Sequence, residues 1–140
     1  MSGAALSSLL REACEGLGRV GVAVSGGGDS VALLVLAVEA LGPARVAAVT
    51  VDHGLRAEAA AEAAGVAALC RRLGVSHDVL SWEAGPSGGN LMDEAREARL
   101  SLIGGWAFGR VEAVLLGHNL DDQAETVLMR LVRGTGLLGL

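Results

Sequence analysis

The chain contains no lysine, and all eleven of its basic residues are arginine. A Walker A loop uses a lysine before its final Ser or Thr to contact nucleotide phosphates, so this class of triphosphate site is excluded. Aromatic residues are scarce as well: there is no tyrosine, one phenylalanine and two tryptophans. We therefore expect a core of alanine, valine and leucine, with Trp82 and Trp106 as core or interface residues rather than a platform for stacked bases.

Cysteines and long apolar runs are also few. Cys14 and Cys70 are isolated in predicted helices, which predicts reduced, buried side chains, and no Cys/His spacing resembles a zinc site. The longest apolar run, Val31 to Val38, is too short to cross a bilayer. The N-terminus lacks a basic segment followed by an apolar stretch, so no signal peptide is predicted. These features predict a cytoplasmic protein without a membrane partner.

The net charge of −5 argues against this segment binding nucleic acid by itself. Affinity for a phosphate backbone rises with the number of phosphates that basic side chains neutralise. If the substrate is RNA, a basic surface must come from an arginine cluster, a missing domain or another subunit. A length of 140 residues corresponds to one domain, or to one domain cut short.

Apolar periodicity predicts that strands and helices alternate along the chain. The predicted strands are 19–24, 46–51, 75–82 and 111–116, and the predicted helices are an N-terminal one, 30–41, 57–73, 90–108 and 121–133. This alternation predicts an α/β fold, a Rossmann-like open parallel sheet with helices on both faces and right-handed crossovers. His77 lies within the third strand and matches no motif, so we assign it a structural role.

A glycine-rich segment, Ser25-Gly26-Gly27-Gly28-Asp29-Ser30, lies between the first strand and the helix that follows. Such a turn leaves backbone N–H groups bare in front of the positive end of a helix, which is the arrangement of a phosphate cradle. The alternative is an ordinary turn with a Ser or Asp helix cap. The spacing Gly16, Gly18, Gly21 spells G-x-G-x-x-G, but it precedes the strand, whereas a dinucleotide fingerprint must follow it.

Polar residues follow three of the predicted strands: the segment 25–30, the pair Asp52-His53, and the stretch 118–122. Ligands of open parallel sheets bind beyond the carboxyl ends of the strands. The three clusters therefore predict one shared site at that edge of the sheet.

The pattern Ser-Gly-Gly-x-Asp-Ser after a first strand is the PP-loop signature of ATP-pyrophosphatases of the adenine-nucleotide alpha-hydrolase type. Further stretches resemble the tRNA(Ile)-lysidine synthetase family: Val-Asp-His-Gly-Leu-Arg at 51–56, Gly-His-Asn-Leu-Asp-Asp-Gln-Ala-Glu-Thr at 117–126, and the segment 130–140. The segment 90–99 looks like the arginine helix of the same family. The resemblance covers residues 19–140, and the order of the motifs makes it specific.

The resemblance implies a ligase reaction. Members of the family use ATP to adenylate the wobble cytidine of an isoleucine tRNA with release of pyrophosphate, and the ε-amine of lysine then displaces AMP at C2. The implied cofactors are ATP and Mg²⁺. The implied partners are tRNA(Ile) with a cytidine wobble base and free L-lysine, and a homodimer is left open.

The resemblance also implies which residues bind the nucleotide: Ser25, Gly26, Gly27, Gly28, Asp29, Ser30, Asp52 and His53. Backbone amides of the three glycines would stabilise charge on the departing pyrophosphate, and the hydroxyls of Ser25 and Ser30 would donate to phosphate oxygens. Asp29 repels phosphate, so its expected role is to hold Mg²⁺. Asp52 and His53 would face the adenosine.

The implied catalytic residues are Asp29, His118, Asp121 and Asp122, and the implied substrate-binding residues are Arg96, Arg99 and Glu125. Asp121 and Asp122 either cap a helix or bind metal or the lysine ammonium, and which of them does so is open. His118 either polarises the cytidine or a phosphate, or is structural.

Arg96 and Arg99 share one helix face, which is either solvated or in contact with tRNA phosphate or pyrophosphate. Glu125, one turn after Asp121 in the predicted helix, either shares that site or pairs with an arginine.

Two positions depart from the family pattern. Asn119 stands where a second histidine is common, and Leu100 where an aromatic residue often follows the arginines. The family also continues beyond position 140, so we expect residues 1–140 to be a PP-loop nucleotide-binding domain, truncated at its C-terminus and without the tRNA-binding domains. The alternatives are another PP-loop enzyme, of the tRNA thiolase or amidotransferase type, and a non-catalytic nucleotide-binding module.

Overall fold

The computed structural model describes residues 3–25, 28–52, 58–82, 91–120 and 123–133; at residues 3, 4, 6, 29, 91–96, 117–120 and 123–133 it gives the backbone alone. The helices are α1 (Gly3–Ala13), α2 (Gly28–Leu41), α3 (Ala59–Leu73) and α4 (Leu91–Ala107). The strands are β1 (Val20–Ala23), β2 (Val46–Asp52), β3 (Ser76–Ser81), β4 (Ala113–Leu120) and β5 (Gln123–Arg133), and a short 3-10 turn spans Pro43–Arg45.

The strands form one sheet in the order β3-β2-β1-β4-β5. Strands β1 to β4 are mutually parallel, with Val20 of β1 paired to Val46 on one side and to Ala113 on the other. The chain therefore moves outward from β1 in one direction to β2 and β3, and then crosses back to β4. The reversal of strand order puts the crevice that receives ligands in such sheets between the carboxyl ends of β1 and β4. The predicted α/β fold is confirmed.

The prediction of a helix over residues 121–133 is wrong. Residues Gln123–Arg133 form β5, which pairs antiparallel with β4 from Ala113↔Arg133 to Asn119↔Val127. The apolar spacing of this segment suits a helix, but Val127 and Val132 are β-branched and favour extended backbone. Pairing with the edge of β4 supplies backbone hydrogen bonds that favour the strand, and the local apolar spacing gives no sign of this pairing. The sheet is thus parallel with one antiparallel edge strand.

Helices cover both faces of the sheet, as predicted. Val20 and Val22 of β1 belong to a buried cluster with residues of α1, α2 and α3, which lie on one face. Ala23 belongs to a second cluster with Ile103 and Trp106 of α4, on the other face. This alternation along β1 follows the two-residue period of a strand whose two faces are both covered.

The two cysteines are free thiols buried in the first cluster, which confirms their predicted structural role. Burial raises the pKa of both the Cys14 and the Cys70 thiol, although the charge of Arg45 partly opposes the shift at Cys14. Thiols held in the neutral form in this way are poor nucleophiles.

Trp106 packs against a glycine of the central strand. A Cβ built on Gly21 would lie 2.8 Å from Cζ3 of Trp106, so a side chain at that point would force the indole or the strand to shift. The indole is 5% exposed, and its Nε1–H donates to Oδ2 of Asp78 at 2.9 Å. Trp106 is therefore a core residue, as predicted, and Gly21 serves packing rather than a dinucleotide fingerprint.

The described helices include none with the length and apolar character that a bilayer crossing requires.

Candidate functional site

The side chain of Ser30 joins the two ends of the glycine-rich segment, Ser25 and Ser30. Ser30 Oγ accepts the backbone N–H of Ser25 at 3.0 Å, lies 2.9 Å from Ser25 Oγ, and donates to the carbonyl oxygen of Ser25 at 3.1 Å. Ser30 is 6% exposed, whereas Ser25 is exposed. One buried hydroxyl thus joins the end of β1 to the first turn of α2.

Helix α2 begins at Gly28, directly behind the loop. Its apolar residues Leu33, Leu34 and Ala37 are buried in the core, so the helix is fixed with its N-terminus at the carboxyl end of β1. The positive end of the helix dipole therefore lies at the carboxyl end of β1. Gly28 is exposed, and none of the described atoms lies within 4 Å of a Cβ built there. The backbone at this point can be approached by an anion.

Asp52 lies at the same edge of the sheet as the loop. It is the last residue of β2, three positions beyond Val49, whose register partner in β1 is Ala23. The side chain is partly exposed, and the backbone carbonyl accepts the N–H of Trp82 at 2.9 Å. Ser25, Ser30 and Asp52 therefore lie at the same edge of the sheet, and the shared site at that edge stays a prediction.

Arg99 is partly buried on the sheet-facing stripe of α4, which it shares with the buried residues Ile103 and Trp106. Burial lowers the pKa of its guanidinium, which nonetheless stays charged at neutral pH. Among the described side chains there is no hydrogen bond or ion pair to Arg99. Arg99 is thus partly shielded from solvent, and its contact with an anion stays a prediction. Because α4 runs against the parallel strands, Arg99 lies closer than Ile103 to the carboxyl edge of the sheet.

Several predicted site residues lie outside the described residues or are described by their backbone alone. Gly26, Gly27, His53, Asp121 and Asp122 lie outside the described residues. The backbone alone is given for Asp29 in α2, Arg96 in α4, His118 in β4 and Glu125 in β5. The described part of the chain contains no group of three or more His, Cys, Asp or Glu side chains that could hold a metal ion. The Mg²⁺ site at Asp29 therefore stays a prediction.

His77 has the structural role that its position predicts. Its Nε2 lies 2.9 Å from Oγ1 of Thr50 on the neighbouring strand. Burial lowers the pKa of the imidazole, and the nearby carboxylate of Asp78 partly offsets this shift. The pair joins β3 to β2 and does not belong to the loop.

Two sets of hydrogen bonds were not anticipated from the sequence, one in the loop after β1 and one at the opposite end of that strand. The hydrogen bonds between Ser30 and Ser25 depend on the three-dimensional path of the chain and could not be predicted from the sequence. The sequence signal that could have suggested them is the serine at each end of the segment. Arg45 donates from Nε to the carbonyl of Gly18 at 3.1 Å and from its terminal nitrogen to that of Leu17 at 2.8 Å. It thereby fixes the turn that leads from α1 into β1.

Comparisons with known proteins agree with this architecture. The family model of the PP-loop domain matches residues 3–140. The tRNA(Ile)-lysidine synthase of Ruegeria pomeroyi is 52% identical over 125 residues, which cover 87% of this chain and 30% of that protein. The enzyme of the same name from Zymomonas mobilis is 46% identical over 139 residues, covering 94% of this chain and 42% of that protein. The chain thus spans less than half the length of these relatives.

Two solved structures have a similar fold. Glutamine-dependent NAD+ synthetase from Acinetobacter baumannii, in complex with ADP, matches with a TM-score of 0.64 and 26% identity over 79% of this chain and 24% of that one. NH3-dependent NAD synthetase from Campylobacter jejuni, in complex with a nitrate ion, matches with a TM-score of 0.66 and 18% identity over 80% of this chain and 53% of that one. Together with the loop at the end of β1 and the match over nearly the whole length, these likenesses show that the chain belongs to the family of PP-loop domains.

Proposed function

We propose that this chain supplies the ATP-binding part of a tRNA(Ile)-lysidine synthetase. The observation that carries the proposal is the hydrogen-bonded pair of Ser25 and Ser30 at the N-terminus of α2, with none of the described atoms within 4 Å of a Cβ built on Gly28. The similarity to the synthases of Ruegeria pomeroyi and Zymomonas mobilis supports the choice of reaction. In that reaction ATP adenylates the wobble cytidine of an isoleucine tRNA, and free lysine then displaces AMP to form a C–N bond.

The loop would bind the part of ATP that leaves as pyrophosphate. Amides at the start of α2, including that of Gly28, would donate to the β- and γ-phosphates as negative charge develops on them. Asp29, in the first turn of α2, would hold Mg²⁺, which neutralises phosphate charge when bound. Asp52 and His53 would contact the adenosine from the neighbouring strand.

The residues that follow the middle of β4 would serve the base and the amine. His118 would polarise the cytidine or a phosphate, and Asp121 or Asp122 would bind the lysine ammonium or the metal. Glu125 would contribute a further carboxylate to the same region. The support for these roles is the match of the motif at 117–126 and the position of β4 beside β1.

Arg99 would bind an anion within the crevice. A partly buried guanidinium without a described partner can stabilise a phosphate more strongly than a solvated one, because less water competes for it. Arg96, one turn closer to the start of α4, would contact tRNA phosphate or the same pyrophosphate. The net charge of −5 makes further basic surface necessary for tRNA binding, and a tRNA substrate would place the reaction in the cytoplasm.

The test is pyrophosphate release from ATP, with lysine and with isoleucine tRNA transcripts that differ only in a cytidine or a uridine at the wobble position. The proposal predicts Mg²⁺-dependent ATP binding by the chain and, in the full-length enzyme, release that requires the cytidine transcript. Release with equal rates for both transcripts would favour another PP-loop enzyme, and ATP binding without release would favour a non-catalytic module. Sedimentation of the chain tests whether it forms a homodimer.

A further inference from the structure

Trp106 connects α4 to two strands of the sheet through opposite ends of its indole ring. The Nε1–H donates to Oδ2 of Asp78, on the edge strand β3, at 2.9 Å. Cζ3 and Cη2, at the far side of the ring, lie 2.8 and 3.1 Å from the position that a Cβ on Gly21 of β1 would occupy. Because β2 lies between these two strands, the ring reaches across it. An indole held at both ends in this way resists rotation of the helix that carries it.

Arg99 lies on the same face of α4 as Trp106, two helical turns earlier. Seven residues correspond to about 10 Å along the helix axis. Ile103 lies between them on this face and is 1% exposed, whereas Arg99 is partly buried. Since residues at this spacing turn together with the helix, the rotation of α4 that Trp106 fixes also fixes where Arg99 lies relative to the carboxyl edge of the sheet.

Asp78 is suited to hold the indole rather than to bind a ligand in the crevice. Its register partner on β2 is Val49, three residues before Asp52 at the end of that strand. A hydrogen bond to a carboxylate is stronger than one between neutral groups. The indole N–H can only donate, and it belongs to a ring that is 5% exposed. Loss of the acceptor would leave this buried donor unsatisfied, so that α4 would gain by shifting.

We propose that Trp106 and Asp78 are positioning residues, whose hydrogen bond fixes the rotation of α4 and thereby holds Arg99 at the carboxyl edge of the sheet. There the guanidinium binds the pyrophosphate portion of the nucleotide, and neither Trp106 nor Asp78 touches that ligand. The identity of the anion rests on the proposed function, whereas the rotation of α4 is a property of the chain alone. The affinity gain comes from ordering Arg99 before the ligand arrives.

Two measurements on the full chain test this role. Exchange of the Arg99 Nε–H with water, followed by NMR in mildly acidic buffer without ligand, reports whether the guanidinium keeps its partly buried position. Calorimetry with inorganic pyrophosphate and Mg²⁺ reports the affinity for the anion. The variants are Asp78→Ala and Asp78→Asn, which keeps an acceptor oxygen. Val79→Thr is the matched control, because it changes an exposed side chain of the same strand without removing the hydrogen bond to Trp106.

Asp78→Ala is expected to speed exchange at Arg99 by about tenfold and to weaken pyrophosphate binding by about tenfold, the effect typical of one lost hydrogen bond. Asp78→Asn should largely restore both values, and Val79→Thr should change neither. Urea unfolding of each variant is recorded alongside. A merely structural role for Asp78 would lower the free energy of unfolding and leave both the exchange and the affinity as they are in the original chain.

Combination with Arg99→Met shows whether Asp78 acts through Arg99. Arg99→Met alone should weaken pyrophosphate binding by about tenfold or more, because a contact with a charged group is lost. Asp78→Ala should then add no further loss, since the group that it positions is gone. A further tenfold loss in the Arg99→Met background would overturn the inference, because Asp78 would then affect the anion by another route.

The inference also fails if Asp78→Ala leaves either the exchange at Arg99 or the affinity for pyrophosphate unchanged in a chain that binds pyrophosphate. If the original chain does not bind pyrophosphate, the proposed function fails instead. The exchange measurement then still decides whether Trp106 and Asp78 position Arg99, because it needs no ligand.

Discussion

Replacement of Gly21 by alanine should destabilise the fold, because the central strand has no room for a methyl group there. The added Cβ would lie 2.8 Å from Cζ3 and 3.1 Å from Cη2 of Trp106, and 3.2 Å from Cγ2 of Val111. The indole is a rigid group with little freedom to withdraw. Its Nε1–H is hydrogen-bonded to Asp78 at 2.9 Å, and the ring is almost fully buried.

The expected size of the effect is the difference between two opposing terms. Forcing an extra methyl group into a packed core costs about 1–3 kcal/mol. Replacing glycine by alanine in a regular element returns about 0.5–1 kcal/mol, because the unfolded chain loses freedom. The free energy of unfolding should therefore fall by about 1–2 kcal/mol.

Urea unfolding followed by circular dichroism measures this change. Gly65→Ala in α3 is the matched control, because no described atom lies within 4 Å of a Cβ built there. It should raise the free energy of unfolding by about 0.5–1 kcal/mol, since alanine is the better helix former. The packing argument would be refuted if Gly21→Ala were as stable as the original chain while Gly65→Ala behaved as expected.

Four further changes test other parts of the structure. Burial lowers the pKa of His77 from its ordinary value of 6.5, so folding favours the neutral imidazole. The free energy of unfolding should therefore be independent of this group above pH 6.5 and should fall as the pH drops from 6.5 towards the folded-state pKa. Urea unfolding at a series of pH values should show this fall in the original chain and not in His77→Gln. Arg45→Ala removes the donors to the carbonyls of Leu17 and Gly18 and should lower the free energy of unfolding by about 1–3 kcal/mol; an unchanged urea midpoint would contradict the role. Arg99→Met should leave stability unchanged or higher, because a partly buried charge is removed, while calorimetry should show weaker pyrophosphate binding; equal binding would remove Arg99 from the site. Asp29→Ala should abolish Mg²⁺-dependent pyrophosphate release in the proposed reaction, and release at the original rate would refute its metal role.

Much of the fold follows from local signals in the sequence. The run at 20–24 has no polar side chain and the run at 46–51 has only Thr50, because both faces of these strands are covered, and this pattern identified buried parallel strands. The break at Gly42 and Pro43 separated α2 from β2. The shared edge of Ser25, Ser30 and Asp52 followed directly, since parallel strands bring their carboxyl ends together.

The rest depends on tertiary contacts that local patterns do not contain. Residues 123–133 have apolar spacing that suits a helix, and only the open edge of β4 makes a strand the outcome. The burial of Arg99 depends on how α4 lies over the sheet, whereas its sequence neighbours indicate only a helix face. The inward position of the Ser30 hydroxyl likewise depends on the path of the chain through the loop.

The most direct measurement is a crystal structure of the chain with Mg²⁺ and an ATP analogue that resists cleavage between its α- and β-phosphates. The account predicts that the β- and γ-phosphates lie against the start of α2, between Ser25 and Ser30. A triphosphate bound at any other part of the sheet would contradict it.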